Sequence, residues 1–221
     1  MNIKTVIGHV LLQFFLVTFV SYINIMNRSQ MVLSIAGWNM NCNFDIAKPY
    51  LMKLSQTADI IAISEHGLYP CELDKLNNIL PCYKALGKSS KILSDANFGH
   101  IKGSGGCAIL WNYRKLNYKI RTIPDLGSDR ICVIELSGNH QVFYVISVYM
   151  PHQSCYIAKF SKEMHNTQNI IDICNTRGKC IIIGDINVHF GAEYQGRCSG
   201  ISSSNAHQIY EIRQRKLYEY C

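Results

Sequence analysis

Four apolar runs in the sequence end in, or are followed at once by, polar side chains of the kinds that hold cations or act on phosphate esters. These side chains are Asn39 and Asn41, Glu65 and His66, Tyr149, and Asp185 and Asn187. A carboxylate binds a hard cation or takes a proton from water, and amide and phenol groups hydrogen-bond developing negative charge. Because phosphodiester hydrolysis needs an activated nucleophile, charge neutralisation and a stabilised leaving group, the set supplies candidates for that chemistry.

Each of these positions also has a purely structural explanation. Asn and Asp commonly end strands by forming Asx turns, which accounts for GDIN as well as a site does. Glu65 fits a solvated acid at a strand end, and Tyr149 is one of 13 tyrosines and fits a ring in the core. The functional interpretation therefore depends on several positions converging in space.

Short apolar runs alternate with amphipathic stretches from Met31 onward, which predicts an α/β protein. The predicted strands are residues 32–38, 59–64, 106–111, 131–137, 142–149 and 180–185, and the last is expected to be buried on both faces. Polar residues after such strands usually lie at one edge of the sheet, where ligands bind.

Three helices are predicted from capping residues and apolar spacing. The first begins at an Asp45 cap, with Ala47, Tyr50, Leu51 and Leu54 on one face. The second runs from Ser154 to Cys174, with a core-facing stripe of Ile157, Phe160, Met164, Ile171 and Cys174. The third runs from Asn205 toward Leu217.

The first 30 residues form a separate apolar segment, and the expected domain spans residues 31–221. Residues 7–26 are long and apolar enough to span a bilayer or to act as a signal. Three interpretations stand: an uncleaved signal-anchor, a poor signal peptide, or a non-native leader before a natural start at Met31. A start at Met31 predicts a protein of the nucleus or cytoplasm, whereas the anchor predicts membrane association through residues 7–26.

The charge balance favours an anionic partner only weakly. Lys and Arg number 22 against 15 Asp and Glu, giving a net charge of +7 that would attract nucleic acid or anionic lipid headgroups. Many soluble domains without such partners carry as much charge. The 10 cysteines are scattered singly, without a Cys-x-x-Cys pair, so nothing in the sequence indicates zinc.

Six motifs in a fixed order resemble one family. They are GWNMN, DIIAISEH, GGCAIL, SDRICVIEL, SVYMPH and IIIGDINVH. Together they resemble the endonuclease/exonuclease/phosphatase superfamily across roughly residues 31–203. The EH, SDRI and GDIN-VH features resemble the apurinic-endonuclease-like endonuclease domain of its non-LTR retrotransposon branch. The resemblance implies a two-sheet α/β sandwich of the deoxyribonuclease-like type.

The same resemblance implies roles for five residues. Asn39 and Glu65 would hold a divalent cation, with Glu65 as the carboxylate ligand. Magnesium suits a single carboxylate with amide neighbours and several waters, and manganese is the alternative ion. Tyr149 would contact the scissile phosphate, Asp185 would orient or deprotonate the attacking water, and Asn187 would hydrogen-bond the phosphoryl oxygens.

Substrate binding is expected to involve further polar and basic side chains. They are Asn41, His66, Lys102, Arg114 and Lys115. Basic loop residues would neutralise backbone phosphates, so the expected partner is DNA or another phosphodiester, and no protein partner is implied. A solvated surface explains the basic residues equally well.

The family pattern includes two elements that the sequence after Asn187 does not show, an acidic residue in a late strand and a turn of Ser-Asp-His type. We therefore expect a sandwich that is incomplete at its carboxyl end, and two alternatives to an active magnesium-dependent DNA endonuclease. One is an inactive fragment with residual polyanion binding. The other, suggested by the apolar amino terminus, is a membrane-anchored phosphoesterase for lipid or inositol phosphates.

Overall fold

The computed structural model shows an α/β protein. It describes residues 3–8, 20–26, 32–89, 105–123, 127–138, 141–151 and 157–187. The strands are β1 (Ile3–Gly8), β2 (Val20–Met26), β3 (Val32–Asn39), β4 (Ile60–Ser64), β5 (Tyr83–Lys88), β6 (Cys107–Asn112), β7 (Lys119–Thr122), β8 (Ile131–Gly138), β9 (Gln141–Tyr149) and β10 (Lys179–Asp185). The helices are α1 (Phe44–Ser55), α2 (Lys75–Asn78) and α3 (Ile157–Asn175), with a short 3₁₀ helix at Pro70–Glu72.

The strands form two sheets. The first sheet has six strands in the order β1-β2-β3-β4-β6-β5, and the second has four in the order β10-β9-β8-β7. Each sheet contains one parallel pair, β3 with β4 and β9 with β10, and its other pairs are antiparallel. The predicted two-sheet α/β sandwich is therefore confirmed.

The sheets face each other across a shared apolar layer. Its buried side chains come from both sheets and include Ile35, Ile60, Ile109, Ile134, Phe143 and Val145. A second cluster joins the outer face of the first sheet to α1 and α2, and a third joins the outer face of the second sheet to α3. Each large apolar side chain buried in this way contributes about 1.5–3 kcal/mol of transfer free energy. This packing holds the ends of the strands at fixed positions.

The first predicted helix is present but begins differently. Asn43 is the residue at the amino-terminal cap, and Asp45 lies inside the first turn, so the prediction of an Asp45 cap was wrong. Ala47, Leu51 and Leu54 are buried as predicted. Tyr50, predicted on the same face, is 47% exposed, and its ring contacts that of Trp38 with centroids 5.9 Å apart and ring planes tilted by 44°.

The long predicted helix corresponds to α3, and residues 152–156, where its start was predicted, lie outside the described residues. Its buried apolar side chains are Phe160, Met164, Ile170 and Cys174, while Ile171 is only partly buried. Its buried face also carries two polar residues that the apolar spacing did not indicate, Glu163 and Thr167.

The strand β10 differs from its prediction. It was expected to be buried on both faces, but Ile182 is 41% exposed. The reason is position: β10 pairs only with β9 in the described sheet and so forms its edge.

In the apolar amino-terminal segment, the structure describes strands β1 and β2, which pair with each other, and β2 also pairs with β3. Among the described residues, no helix has the length and apolar character needed to cross a bilayer. The boundary at Met31 stays a prediction, and the helix predicted at residues 205–217 lies outside the described residues.

Candidate active site

The ends of strands from both sheets meet at one edge of the sandwich. In the parallel pair of the first sheet, the last residue of β3, Asn39, lies opposite Ser64 at the end of β4. In the second sheet, Tyr149 at the end of β9 lies opposite Asp185 at the end of β10. The antiparallel strands β6 and β8 begin at this edge, because their first residues pair with Ser64 and Val148. The ends of β3, β4, β9 and β10 and the beginnings of β6 and β8 therefore lie at this edge.

The side-chain amide of Asn39 connects the two sheets at this edge. Its Nδ2 donates hydrogen bonds to Glu65 Oε1 at 3.1 Å and to Asp185 Oδ2 at 2.7 Å. Its Oδ1 accepts a hydrogen bond from the backbone N–H of Asn41 at 2.8 Å, which fixes the orientation of the amide. Two carboxylates from different sheets thus face one another across a single amide group.

Three of the residues singled out from the sequence have left-handed backbone conformations. The φ angles are +47° at Asn41, +54° at Glu65 and +52° at Asn187. Asn tolerates this region, whereas a residue such as Glu adopts it at a cost of about 1–2 kcal/mol. The conformation of Glu65 is held by the hydrogen bond from its N–H to the Gly106 carbonyl at 2.8 Å. Such strain is concentrated at functional sites, where surrounding contacts impose it.

Tyr149 lies between a carboxylate and a guanidinium. Burial raises the pKa of the Tyr149 phenol well above its usual value, and the charge of Glu65 and a hydrogen bond to Glu65 raise it further. Arg130 opposes these effects, with its Cζ 4.8 Å from the centroid of the Tyr149 ring. At neutral pH Tyr149 is therefore a protonated phenol beside Glu65, with a hydrogen that it can donate.

Arg130 was not identified as a site residue from the sequence, although it belongs to the SDRI motif. Its Nη1 donates to the Tyr149 carbonyl at 3.3 Å, and its own carbonyl accepts from the Tyr149 N–H at 2.9 Å. The signal that could have indicated it is its place directly before β8, a strand that begins at the site edge.

Asp185 and Asn187 are held in a compact turn. Asp185 Oδ1 accepts a hydrogen bond from the Asn187 backbone N–H at 2.9 Å, and the Asp185 carbonyl accepts from the Met150 N–H at 2.8 Å. Asn187 Nδ2 donates to the Met150 carbonyl at 2.8 Å. An amide nitrogen carries two hydrogens, so Asn187 retains a second donor in addition to this contact. These contacts join the ends of β9 and β10 at the shared edge.

His66 is completely buried, with 0% of its surface exposed. Its Nδ1 accepts from the Leu68 N–H at 3.0 Å, so the proton of the neutral ring lies on Nε2, which donates to the Lys88 carbonyl at 2.9 Å. Both ring nitrogens thus hold the loop that follows Glu65. This geometry favours a positioning role over the contact with substrate that we expected from the sequence.

Of the other residues expected to bind substrate, the structure brings Asn41 to the site but not Arg114 or Lys115. Asn41 is exposed beside Asn39 and so lies at the site. Arg114 and Lys115 follow the carboxyl end of β6, which is the end away from Glu65 because β6 runs antiparallel to β4. The structure does not bring these two residues to the site, so it does not support their expected role. Lys102 lies outside the described residues.

The oxygen donors at this edge fit a small hard cation. Glu65 supplies carboxylate oxygens beside the Asn39 amide, and magnesium is commonly bound through one or two carboxylates with water completing its shell. In the described part of the chain, no group of three or more His, Cys, Asp or Glu side chains forms a metal cage. Asn39 directs its nitrogen at the carboxylates, so it is suited to orienting Glu65.

No protein-family model matches the chain, and a search of characterised proteins found no match. Solved structures do match. The catalytic domain of APE2 from Xenopus laevis has a TM-score of 0.57 and 17% identity, over 83% of this chain and 67% of that one. The endonuclease domain of TRAS1, a telomere-specific non-LTR retrotransposon, has a TM-score of 0.54 and 13% identity, over 84% and 71%. The 3′ phosphatase NExo from Neisseria, bound to a product DNA hairpin, has a TM-score of 0.50 and 16% identity, over 82% and 70%.

Identities this low show a shared fold and no more. The matched structures belong to the endonuclease/exonuclease/phosphatase superfamily, including its non-LTR retrotransposon branch. The sequence motifs implied this fold, and the structural likeness confirms it: the chain has the endonuclease/exonuclease/phosphatase fold.

Proposed function

We propose that this chain is a divalent-metal-dependent phosphodiester hydrolase that cleaves DNA as an endonuclease. The observation that carries the proposal is the Asn39 amide, which brings the carboxylates of Glu65 and Asp185 to one place. Two carboxylates with different neighbours suit two different tasks, holding a cation and taking a proton from water.

The roles proposed for the side chains follow from their surroundings. Glu65 accepts a hydrogen bond from the Asn39 amide, which would hold its carboxylate where it can bind the cation. A bound magnesium ion would supply positive charge against the phosphate and the departing oxygen. Asp185 would accept the proton of the attacking water as its oxygen bonds to phosphorus and the bond from phosphorus to the departing oxygen breaks, and that departing oxygen takes a proton from solvent.

Two neutral donors complete the arrangement. The Tyr149 hydroxyl is protonated at neutral pH, and Asn187 retains an amide hydrogen beyond its contact with Met150. Donors held in advance stabilise the negative charge that builds up on phosphoryl oxygens in the transition state. The arrangement therefore serves attack on a phosphorus centre.

DNA as the substrate is supported by the solved structures that share the fold. One is described as the endonuclease domain of a retrotransposon, and another as a 3′ phosphatase with a product DNA hairpin. The net charge of +7 is consistent with a polyanionic substrate. Lipid and inositol phosphates present the same phosphate chemistry, so substrate class has to be tested directly.

The test is nicking of supercoiled plasmid by the 221-residue chain with and without magnesium. We expect magnesium-dependent nicking that falls about 100-fold or more in Asp185→Asn. The matched control is Asp59→Asn, the same change at a carboxylate that accepts from Ser34 N–H at 3.0 Å and precedes β4, at the opposite edge. Equal rates in wild type and Asp185→Asn, or no metal-dependent nicking at all, would exclude the proposal. A parallel assay with inositol polyphosphate separates the two substrate classes.

A further inference from the structure

Glu163 is a buried acid on the apolar face of α3. It is 6% exposed and lies among the residues that pack α3 against the second sheet, including Phe160 and Met164. Its Oε2 accepts a hydrogen bond from the Ser128 hydroxyl at 2.5 Å and another from Asn166 Nδ2 at 3.4 Å. A buried carboxylate is costly unless it is hydrogen-bonded, so these contacts explain how the fold tolerates it. They also connect α3 to the turn that precedes β8.

The Ser128 hydroxyl contacts both Glu163 and Arg130. Ser128 is 3% exposed, and its oxygen accepts a hydrogen bond from the Arg130 backbone N–H at 3.1 Å. A hydroxyl has one hydrogen to donate and two lone pairs to accept with. Donation to Glu163 fixes the direction of that hydrogen and leaves a lone pair facing the Arg130 N–H. The Lys88 ammonium also contacts this turn, donating to the Ser128 carbonyl at 2.8 Å.

Arg130 in turn lies against Tyr149. The Tyr149 backbone N–H donates to the Arg130 carbonyl, and the Arg130 guanidinium donates to the Tyr149 carbonyl. The guanidinium carbon, Cζ, lies 4.8 Å from the centroid of the Tyr149 ring. Tyr149 is the residue of β9 that lies beside Glu65. A continuous set of contacts therefore runs from the interior face of α3 to the candidate site.

We propose that Glu163 is a positioning residue, which through the Ser128 hydroxyl holds the Arg130 guanidinium against the Tyr149 ring. Its catalytic consequence rests on the proposed function, but the positioning itself does not. Glu163 is 6% exposed on the buried face of α3, so we assign it no direct contact with substrate or metal. Its effect on cleavage is expected in the maximal rate and not in the magnesium requirement.

The variants are chosen to separate the carboxylate's hydrogen bond from its general packing. Glu163→Ala removes the acceptor, while Glu163→Gln keeps an oxygen that the Ser128 hydroxyl can reach. Ser128→Ala removes the intermediate hydroxyl and leaves Glu163 in place. The matched control is Thr167→Ala, because Thr167 is buried on the same face of α3 and donates only to the Glu163 backbone carbonyl, at 2.8 Å.

The first readout is the NMR signal of the Arg130 guanidinium in the full chain. The Tyr149 ring should shift this signal upfield, and Tyr149→Leu identifies the contribution of the ring. We expect the shift to be lost in Glu163→Ala and Ser128→Ala and retained in Glu163→Gln and Thr167→Ala. An unchanged Arg130 signal in folded Glu163→Ala overturns the proposal, and if that variant does not fold, Ser128→Ala decides it in the same way.

The second readout is the cleavage rate at saturating magnesium. Displacement of a positioned group by about 1 Å lowers rates about 100-fold, so Glu163→Ala should lose activity to that extent with the half-saturating magnesium concentration unchanged. Glu163→Gln should restore the rate. Loss of activity in Thr167→Ala as large as in Glu163→Ala would show a merely structural effect and overturn the proposal. A wild-type chain without cleavage would exclude the proposed function, while the Arg130 signal would still decide the positioning.

Discussion

Asn39 and Asp185 are hydrogen-bonded across the two sheets, with the amide nitrogen of one 2.7 Å from the carboxylate oxygen of the other. The residues are 146 positions apart in the sequence and lie in different sheets. The same amide nitrogen also donates to Glu65. These two hydrogen bonds place the neutral Asn39 amide between the Glu65 and Asp185 carboxylates. A donor shared in this way reduces the repulsion between the two negative charges.

Replacing Asn39 with alanine is expected to lower the rate of plasmid nicking about 10- to 100-fold, because both carboxylates lose the donor that orients them. The matched control is Asn78→Ala in α2, where the amide donates to the Asp74 carbonyl at 3.2 Å. Nicking rates with thermal melting curves check the prediction. A rate for Asn39→Ala within twofold of the control would show that the bridge has no role in the site.

Gly106→Ala is expected to destabilise the protein more than Gly127→Ala. Both glycines have left-handed φ angles, +90° and +83°, so both changes add backbone strain of about 1–3 kcal/mol. A Cβ at Gly106 would also lie 2.4 Å from the His66 ring, whereas a Cβ at Gly127 would meet nothing within 4 Å. Urea denaturation of the two variants measures the difference, and equal losses would mean that the His66 ring moves aside freely.

The His66 ring is expected to be the neutral tautomer with its proton on Nε2. The Leu68 N–H is necessarily a donor, so Nδ1 accepts, and the Lys88 carbonyl necessarily accepts from Nε2. Nitrogen-15 chemical shifts of the imidazole ring check this directly. Observation of the proton on Nδ1 would contradict the described loop after Glu65.

Tyr83 is expected to make stability fall at alkaline pH. Its hydroxyl donates to the Ala58 carbonyl at 2.6 Å, and burial raises the pKa of Tyr83 to about 12. Because the folded pKa lies above the unfolded value of about 10, this contribution is complete below pH 10 and is lost as pH rises toward 12.

Tyr83→Phe should therefore be less stable at neutral pH by about 1 kcal/mol and lose less further stability above pH 10. Urea denaturation at a series of pH values measures both effects. Tyr113→Phe, at a tyrosine that is 47% exposed, is the control. An alkaline decline in Tyr83→Phe as steep as in wild type would assign the decline to other groups.

The meeting of Asn39, Glu65, Tyr149 and Asp185 could be expected from the sequence, because side chains at the carboxyl ends of parallel strands share one edge of a sheet. Arg114 and Lys115 were expected at the substrate but lie at the opposite edge of the sheet, and strand direction is again the reason. They follow a strand whose direction the sequence does not reveal, and β6 is antiparallel. The basic character of these two loop residues therefore did not indicate at which edge of the sheet they lie.

The positioning contacts could not be predicted from residue types. His66 depends on backbone groups of Leu68 and Lys88, and Glu163 interrupts an apolar face that the spacing of α3 indicated only for its hydrophobic residues. The short strands β1 and β2 were not predicted, since a continuous apolar run has no period that separates strand from helix. Such features appear only when the tertiary contacts are known.

Glu65 and Asp185 have different proposed tasks, and the rate of plasmid nicking as a function of magnesium concentration tests this division most directly. Glu65→Gln is expected to raise the half-saturating magnesium concentration about 10-fold or more, because it removes the charge that holds the cation. Asp185→Asn is expected to lower the maximal rate about 100-fold or more with the half-saturating concentration unchanged. If both variants alter the same parameter, or neither alters any, the proposed division of roles at this site is wrong.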